Sequence, residues 1–216
     1  EGDTLLRMAR RITQHMSGQR IIQCETHLPS IDPDVLVGRV LTSARAQGKH
    51  LLLRIEDGGV FHIHLGREGT HRLGHASKAP RVTGRTDLLL VTETRYLCFK
   101  QLPTLEWLSD WQLQRHPHLS ALGPDILSVD FALNDIVARF RRYPSVAIGV
   151  ALLDQRLCAG IGNIYKSELL FMARLNPTLS VGQISDDQLR SLLTDCRTWM
   201  MRNLNRGRRR TRWGAG

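Results

Sequence analysis

The densest chemistry in the chain lies in "CAGIGNIYKSELL", Cys158 to Leu170. Gly160 and Gly162 free the backbone for tight turning, and Asn163 can cap a following helix. The N–H groups in that helix's first turn then make a seat for an anion such as phosphate. The third glycine of a dinucleotide fingerprint is missing, and a helix rather than a strand precedes the stretch, so it reads as a helix-turn-helix with an anion-ready elbow. A glycine-rich connection between two packed helices fits the same residues. Lys49, in "ARAQGKHLLL", follows Gly48 at the entry to an apolar strand. A lysine there is usually a solvated strand end, and it takes on function where the strand end faces another catalytic group. The chain opens "EGDTLL", so its first side chain is the carboxylate of Glu1. Methionine is normally trimmed only before a small residue, and a further residue ahead of Glu1 is therefore expected.

"HIHLGREGTHRLGH" carries His62, His64, His71 and His75, with His62 and His64 on one strand face. These histidines have no partner carboxylate at a recognisable spacing. They are therefore read as hydrogen-bonded strand and loop residues, and no metal is assigned. "HLGREG" reads as an exposed turn with Arg67 at its tip. The cysteines stand singly at Cys24, Cys98, Cys158 and Cys196, without a CxxC pair. They are expected to be reduced core thiols, not a disulfide framework or a zinc knuckle.

The elements that must position these groups change character along the chain. Leu5, Met8, Ala9, Ile12 and Met16 recur at helical spacing after a cap at Asp3 or Thr4, and Gly18 can close that helix. From Arg20 to Leu113 short apolar runs alternate with turn residues. "LLLRIEDGGVFHIHL" predicts a hairpin turning at Asp57, Gly58 and Gly59, and "LLLVTETRYLCF" another turning near Glu93 to Arg95. After "HPHLSALGPDIL" the periodicity becomes helical, with helices expected over 131–140, 148–157, 163–175 and 185–204. The last opens on the capping box "SDDQ". The fold class is α+β: an N-terminal helix with an antiparallel β-sandwich over 1–115, a hinge over 116–130 and an all-α domain over 131–216.

Charge narrows the partner. The 216 residues carry 30 Lys+Arg against 20 Asp+Glu, a net +10, and much of the excess falls in "RFRRY" and "RGRRRTR". That balance suits phosphates or an anionic surface, and the arginine tail fits either salt-sensitive phosphate contact or a disordered terminus. No apolar run approaches the roughly 20 residues that span a bilayer. An intracellular protein, cytoplasmic or nuclear, with no membrane partner is expected.

Taken in order, "EGDT", "GKHLLL", "HLGREG", "LGPDIL" and "LLDQRLCAGIGNIYKSELLF" resemble the formamidopyrimidine-DNA glycosylase and endonuclease VIII family, across nearly the whole chain. The resemblance implies a β-sandwich preceded by a helix, then a helix-two-turn-helix domain. It implies DNA lying across the cleft between them, with the damaged nucleotide flipped out. Its nucleophile is an N-terminal proline, which would stand immediately before Glu1, and Glu1 matches the catalytic glutamate. Lys49 matches the lysine that contacts phosphate beside the lesion and assists base removal. Asn163 matches the asparagine that holds the same phosphate region, with Gly162, Tyr165 and Lys166 in the same motif. Arg67 falls in the loop that fills the gap left by the flipped nucleotide. The resemblance further implies base excision coupled to AP lyase β,δ-elimination on damaged double-stranded DNA, by a monomer. The family's C-terminal finger would hold zinc, but its four cysteines are absent here, so the chain is expected to be truncated or to clamp DNA differently. "EGDT" is closer to the endonuclease VIII side, which implies oxidised pyrimidines. A non-catalytic nucleic-acid binder built on the same elbow is the alternative, and a histidine-metal hydrolase a more distant one.

Overall fold

The fold is given by a computed structural model that describes residues 1–205 and 210–211. Of the arginine tail, only Arg210 and Thr211 fall within these residues. The chain divides into two compact units, one of Met8–Leu119 and one of Glu1–Arg7 with Ser120–Gly216. The division runs through helix α1 (Gly2–Met16), whose first residues belong with the helical unit, not with the sheet as a cut at residue 115 would have them.

In the sheet unit, β1 (Gln19–Thr26), β2 (Val40–Gln47), β3 (His50–Ile55), β4 (Gly59–His64), β5 (Thr70–His75), β6 (Thr86–Thr92), β7 (Arg95–Lys100) and β8 (Thr104–Leu108) lie in the order β5-β7-β6-β1-β2-β3-β4-β8. Every pairing is antiparallel. β1 changes partner along its length: Gln19 and Arg20 pair with β2, and from Ile21 onward the strand pairs with β6. The sheet is thus two halves joined through one strand, as expected where a strand turns a corner. β3 alternates, with Leu51, Leu53 and Ile55 buried. β4 and β6 are buried on nearly every residue, so both their faces are covered. In β6 and β7 one covered face is Leu89, Val91, Tyr96 and Cys98, with Ala76 and Ala79 packed on it.

Both predicted hairpins form. Asp57 at φ 48 makes the β3–β4 turn beside Gly58. Gly48 at φ 57 takes the first central position of the two-residue β2–β3 turn, with Lys49 at the second. The segment read as a hinge is more ordered than its prolines suggest. It follows α2 (Asp110–Gln114), which opens on a Ser109/Gln112 capping box, and contains α3 (Pro117–Ser120).

The helical unit has α4 (Leu133–Arg141), α5 (Ile148–Ala151), α6 (Asn163–Met172) and α7 (Asp186–Asn203). Ile136, Phe140, Ile148, Ile161, Leu193 and Met200 form the centre of its core. The capping box at Ser185 and Gln188 starts α7 as the sequence predicts. α5 is much shorter than the expected 148–157 helix, because the side chains that follow it compete for backbone groups. Asp154 accepts from the backbone N–H of Arg156 at 2.9 Å, while the Gln155 side chain bonds the carbonyls of Leu153 and Ile161 and the N–H of Gly160. α6 ends before the expected residue 175, where Arg174 turns to φ 52 ahead of Pro177.

All four cysteines are free and buried. Burial, with Glu25 and Asp34 nearby, pushes the Cys24 thiol up to about 12, and burial likewise raises Cys158 and Cys196. Since the thiolate is the reacting form, the native protein should keep its mass when treated with a thiol-alkylating reagent at neutral pH. The urea-unfolded protein should gain four adducts by mass spectrometry.

Candidate active site

The predicted anion seat exists, and a carboxylate of the chain itself occupies it. Glu1 Oε1 accepts a 2.6 Å hydrogen bond from the backbone N–H of Ile164, in the first turn of α6. The N–H of Gly2 donates to the carbonyl of Gly160 at 3.0 Å, which ties the start of α1 to the same elbow. A carboxylate at a helix N-terminus gains a charge-assisted hydrogen bond and the favourable end of the helix dipole, the latter worth about 0.3–1 kcal/mol.

The two glycines of the elbow have different tasks. Gly160 sits at φ +103, a conformation that L side chains rarely adopt. Gly162, the N-cap of α6, is extended at φ -120 and ψ -175, so it makes no tight turn. A Cβ there would lie 2.3 Å from Glu1 Cγ, so Gly162 is the gap into which the Glu1 side chain fits. Asn163 is the first residue of α6, not its cap. It is exposed, and its Oδ1 accepts from Lys166 Nζ at 2.6 Å, giving an amide and an ammonium side by side at the head of the helix. Tyr165 departs from the motif reading: it is 0% exposed within the core and presents nothing to a nucleic acid. Its hydroxyl donates to Asp3 Oδ2 at 2.9 Å.

Lys49 and Arg67 belong to the sheet unit. Lys49 is half-buried in the β2–β3 turn. Burial lowers the His64 imidazole, and the Lys49 charge lowers it further. Arg67 stands exposed at the tip of the β4–β5 turn, where Gly66 at φ +59 packs against Pro103 and the N–H of Gly69 donates to the carbonyl of Leu65.

His62 of β4 has a carboxylate partner that sequence spacing could not reveal, since it comes from β8. His62 Nδ1 lies 2.6 Å and His116 Nε2 3.0 Å from Glu106 Oε2, while His50 Nδ1 lies 2.8 Å from His62 Nε2. Among the described residues, His62, Glu106 and His116 are the set whose ligand atoms converge, all within 4.8 Å. Protons satisfy the same atoms: His50 donates to His62, which donates to Glu106, and His116 donates to Glu106 while accepting at Nδ1 from the N–H of Leu119 at 3.3 Å. A metal on His116 Nε2 would move that proton to Nδ1 and cost the Leu119 bond. Burial and the neighbouring imidazoles push His50 down to about 3, in keeping with a neutral chain of imidazoles. His71, on β5, lies against Phe99, and His75 Nδ1 lies 3.0 Å from Ser77 Oγ. The cysteines of this chain are dispersed singly, and among the described residues they form no four-thiolate site.

Asp3 and Asn203 were not found by motif. Both are polar residues 2% or less exposed. Asn203 continues the stripe of Cys196, Trp199 and Met200 on α7, and a polar residue in such a stripe was the available signal.

An antiparallel sheet unit is thus followed by a helical unit, with the Glu1 carboxylate seated on a glycine elbow. Residues 1–102 match the formamidopyrimidine-DNA glycosylase N-terminal domain, and residues 122–213 the formamidopyrimidine-DNA glycosylase H2TH domain. The chain is 34% identical over 215 residues to the "Probable endonuclease 8 2" of Streptomyces coelicolor, covering 98% of this chain and 76% of that protein. It is 32% identical over 189 residues to the "DNA-(apurinic or apyrimidinic site) lyase Nei2" of Mycolicibacterium smegmatis, covering 86% and 71%. A crystal structure of the Lactococcus lactis Fpg with FAPY-dG-containing DNA shares the fold, with a TM-score of 0.80 at 24% identity over 94% of this chain and 80% of that one. The chain belongs to the formamidopyrimidine-DNA glycosylase and endonuclease VIII family.

Gly162→Ala should expel the Glu1 carboxylate from its seat while leaving the helical core intact. The expected outcome is loss of any Glu1-dependent activity by about 100-fold with an unchanged circular dichroism spectrum, since a displacement of about 1 Å costs that much where placement matters.

Proposed function

We propose that the protein is a bifunctional DNA glycosylase and AP lyase of base-excision repair, acting on damaged double-stranded DNA. The observation that carries this reading is the seat of Glu1, because it fixes a carboxylate directly after the position where the family resemblance puts the reacting amine. In the proposed reaction the amine ahead of Glu1, a proline by family resemblance, attacks C1′ of the flipped nucleotide. The glycosidic bond breaks with its electron pair on the base, which takes up a proton. Glu1 accepts the amine proton and returns it to the ring oxygen as the sugar opens, which leaves an iminium at C1′. Loss of the C2′ proton then expels the 3′ phosphate, and a second elimination expels the 5′ phosphate. A terminal amine suits this role because its ordinary pKa of about 7.7–8.0 leaves a sizeable unprotonated fraction at neutral pH.

Asn163 and Lys166 at the head of α6 are the proposed phosphate contacts of the helical unit, with Gly162 admitting the backbone. Lys49 and Arg67 are the proposed contacts of the sheet unit, Lys49 toward the lesion phosphate and Arg67 toward the space left by the flipped nucleotide. Oxidised pyrimidines are the proposed substrates. The likeness of "EGDT" to the endonuclease VIII side supports that choice, as does the similarity to the Streptomyces and Mycobacterium proteins called endonuclease 8.

The test is borohydride reduction of the protein on duplexes holding an abasic site or an oxidised pyrimidine. A covalent adduct through the terminal amine is expected, with Glu1→Gln lowering base excision by at least about 100-fold. Binding without any adduct, by protein with an intact amino terminus, would overturn the enzyme and leave the non-catalytic binder. Lys49→Ala should weaken DNA binding and reduce the slope of log affinity against log salt by about 1, as loss of one phosphate contact requires.

A further inference from the structure

We infer that Asp3, Tyr165 and Asn203 are positioning residues, a buried hydrogen-bonded chain that sets where Glu1 and the terminal amine lie on the α6 elbow; this rests on the function proposed above. The three are 2%, 0% and 1% exposed. The Tyr165 hydroxyl donates to Asp3 Oδ2 at 2.9 Å and accepts from Asn203 Nδ2 at 2.9 Å. Asn203 is held in turn. Its Nδ2 also faces the carbonyls of Trp199 at 3.0 Å and Arg210 at 2.7 Å, and its Oδ1 accepts from the N–H of Arg210 at 2.8 Å. One chain of polar groups thus joins the first turn of α1, the second residue after the head of α6, the last residue of α7 and the backbone at residue 210.

Core stability does not call for such a chain. Apolar residues of similar volume would fill the same space, and a buried carboxylate is costly unless its partners are well placed. What the chain adds is direction. Glu1 and Gly2 bond to the elbow through Ile164 and Gly160, and Asp3 bonds one layer deeper, so the start of α1 is fixed at three successive residues. A reacting amine gains from such constraint, because attack on C1′ requires near-contact geometry and sub-ångström misplacement already costs rate.

Tyr165→Phe keeps the ring in the core and removes only the hydroxyl. Its expected effect on the lesion duplex is a fall of about tenfold in single-turnover base excision and in the rate of borohydride trapping, with affinity for the DNA within about twofold. Asp3→Asn retains an acceptor for Tyr165 and should keep most of the rate, whereas Asp3→Ala should match Tyr165→Phe. Thermal unfolding of each variant separates loss of fold from loss of placement. If Tyr165→Phe and Asp3→Ala both turn over at the wild-type rate once bound, or if Asp3→Asn is as slow as Asp3→Ala at equal stability, the inference is overturned. Absence of any adduct from the wild-type protein would instead overturn the proposed function, and the two failures are read in different lanes.

Discussion

The organisation of the helical unit follows from one contact, the 2.6 Å hydrogen bond between the Glu1 carboxylate and the N–H of Ile164. A helix N-terminus offers unpaired donors and a positive dipole end, and something must meet them. Here the group that meets them is also the first side chain of the described chain. That requirement explains the glycine at 162, which leaves room for the side chain, and the glycine at 160, whose positive φ turns its carbonyl to receive Gly2. It also explains why Glu1 and the first six residues of a helix otherwise counted with the sheet unit belong to the other unit.

Much of this was legible in the sequence for physical reasons. Short apolar runs bounded by Asp-Gly-Gly and Glu-Thr-Arg gave both hairpins, since turn chemistry and run length are local. The capping box at Ser185 is equally local and appears as read. The 148–157 helix was misread because helical periodicity says nothing of side chains that capture backbone groups, as Asp154 and Gln155 do. Asn163 looked like a cap because caps are recognised by residue type, whereas here a carboxylate from 163 positions away in sequence meets the helix amides.

The site was legible in its parts but not in its partnerships. Lys49 and Arg67 lie at turns, as their glycine neighbours indicated. Tyr165 was drawn into the motif by adjacency, yet successive residues on a helix point in different directions, and the one two places after Asn163 faces the core. His62 lacked a partner because Glu106 reaches it only through the pairing of β4 with β8, a long-range register no local spacing encodes. Pairings of that kind are where a single sequence says least.

The way Asn203 holds residue 210 has a wider consequence. Its amide clasps the N–H and carbonyl of the peptide backbone, as a neighbouring strand would, and makes no use of the arginine side chain in doing so. Anchorage and charge are therefore separable at this point. The side chain at 210 can be exchanged during evolution, gaining or losing attraction for polyanions, while the chain stays fastened at the same place.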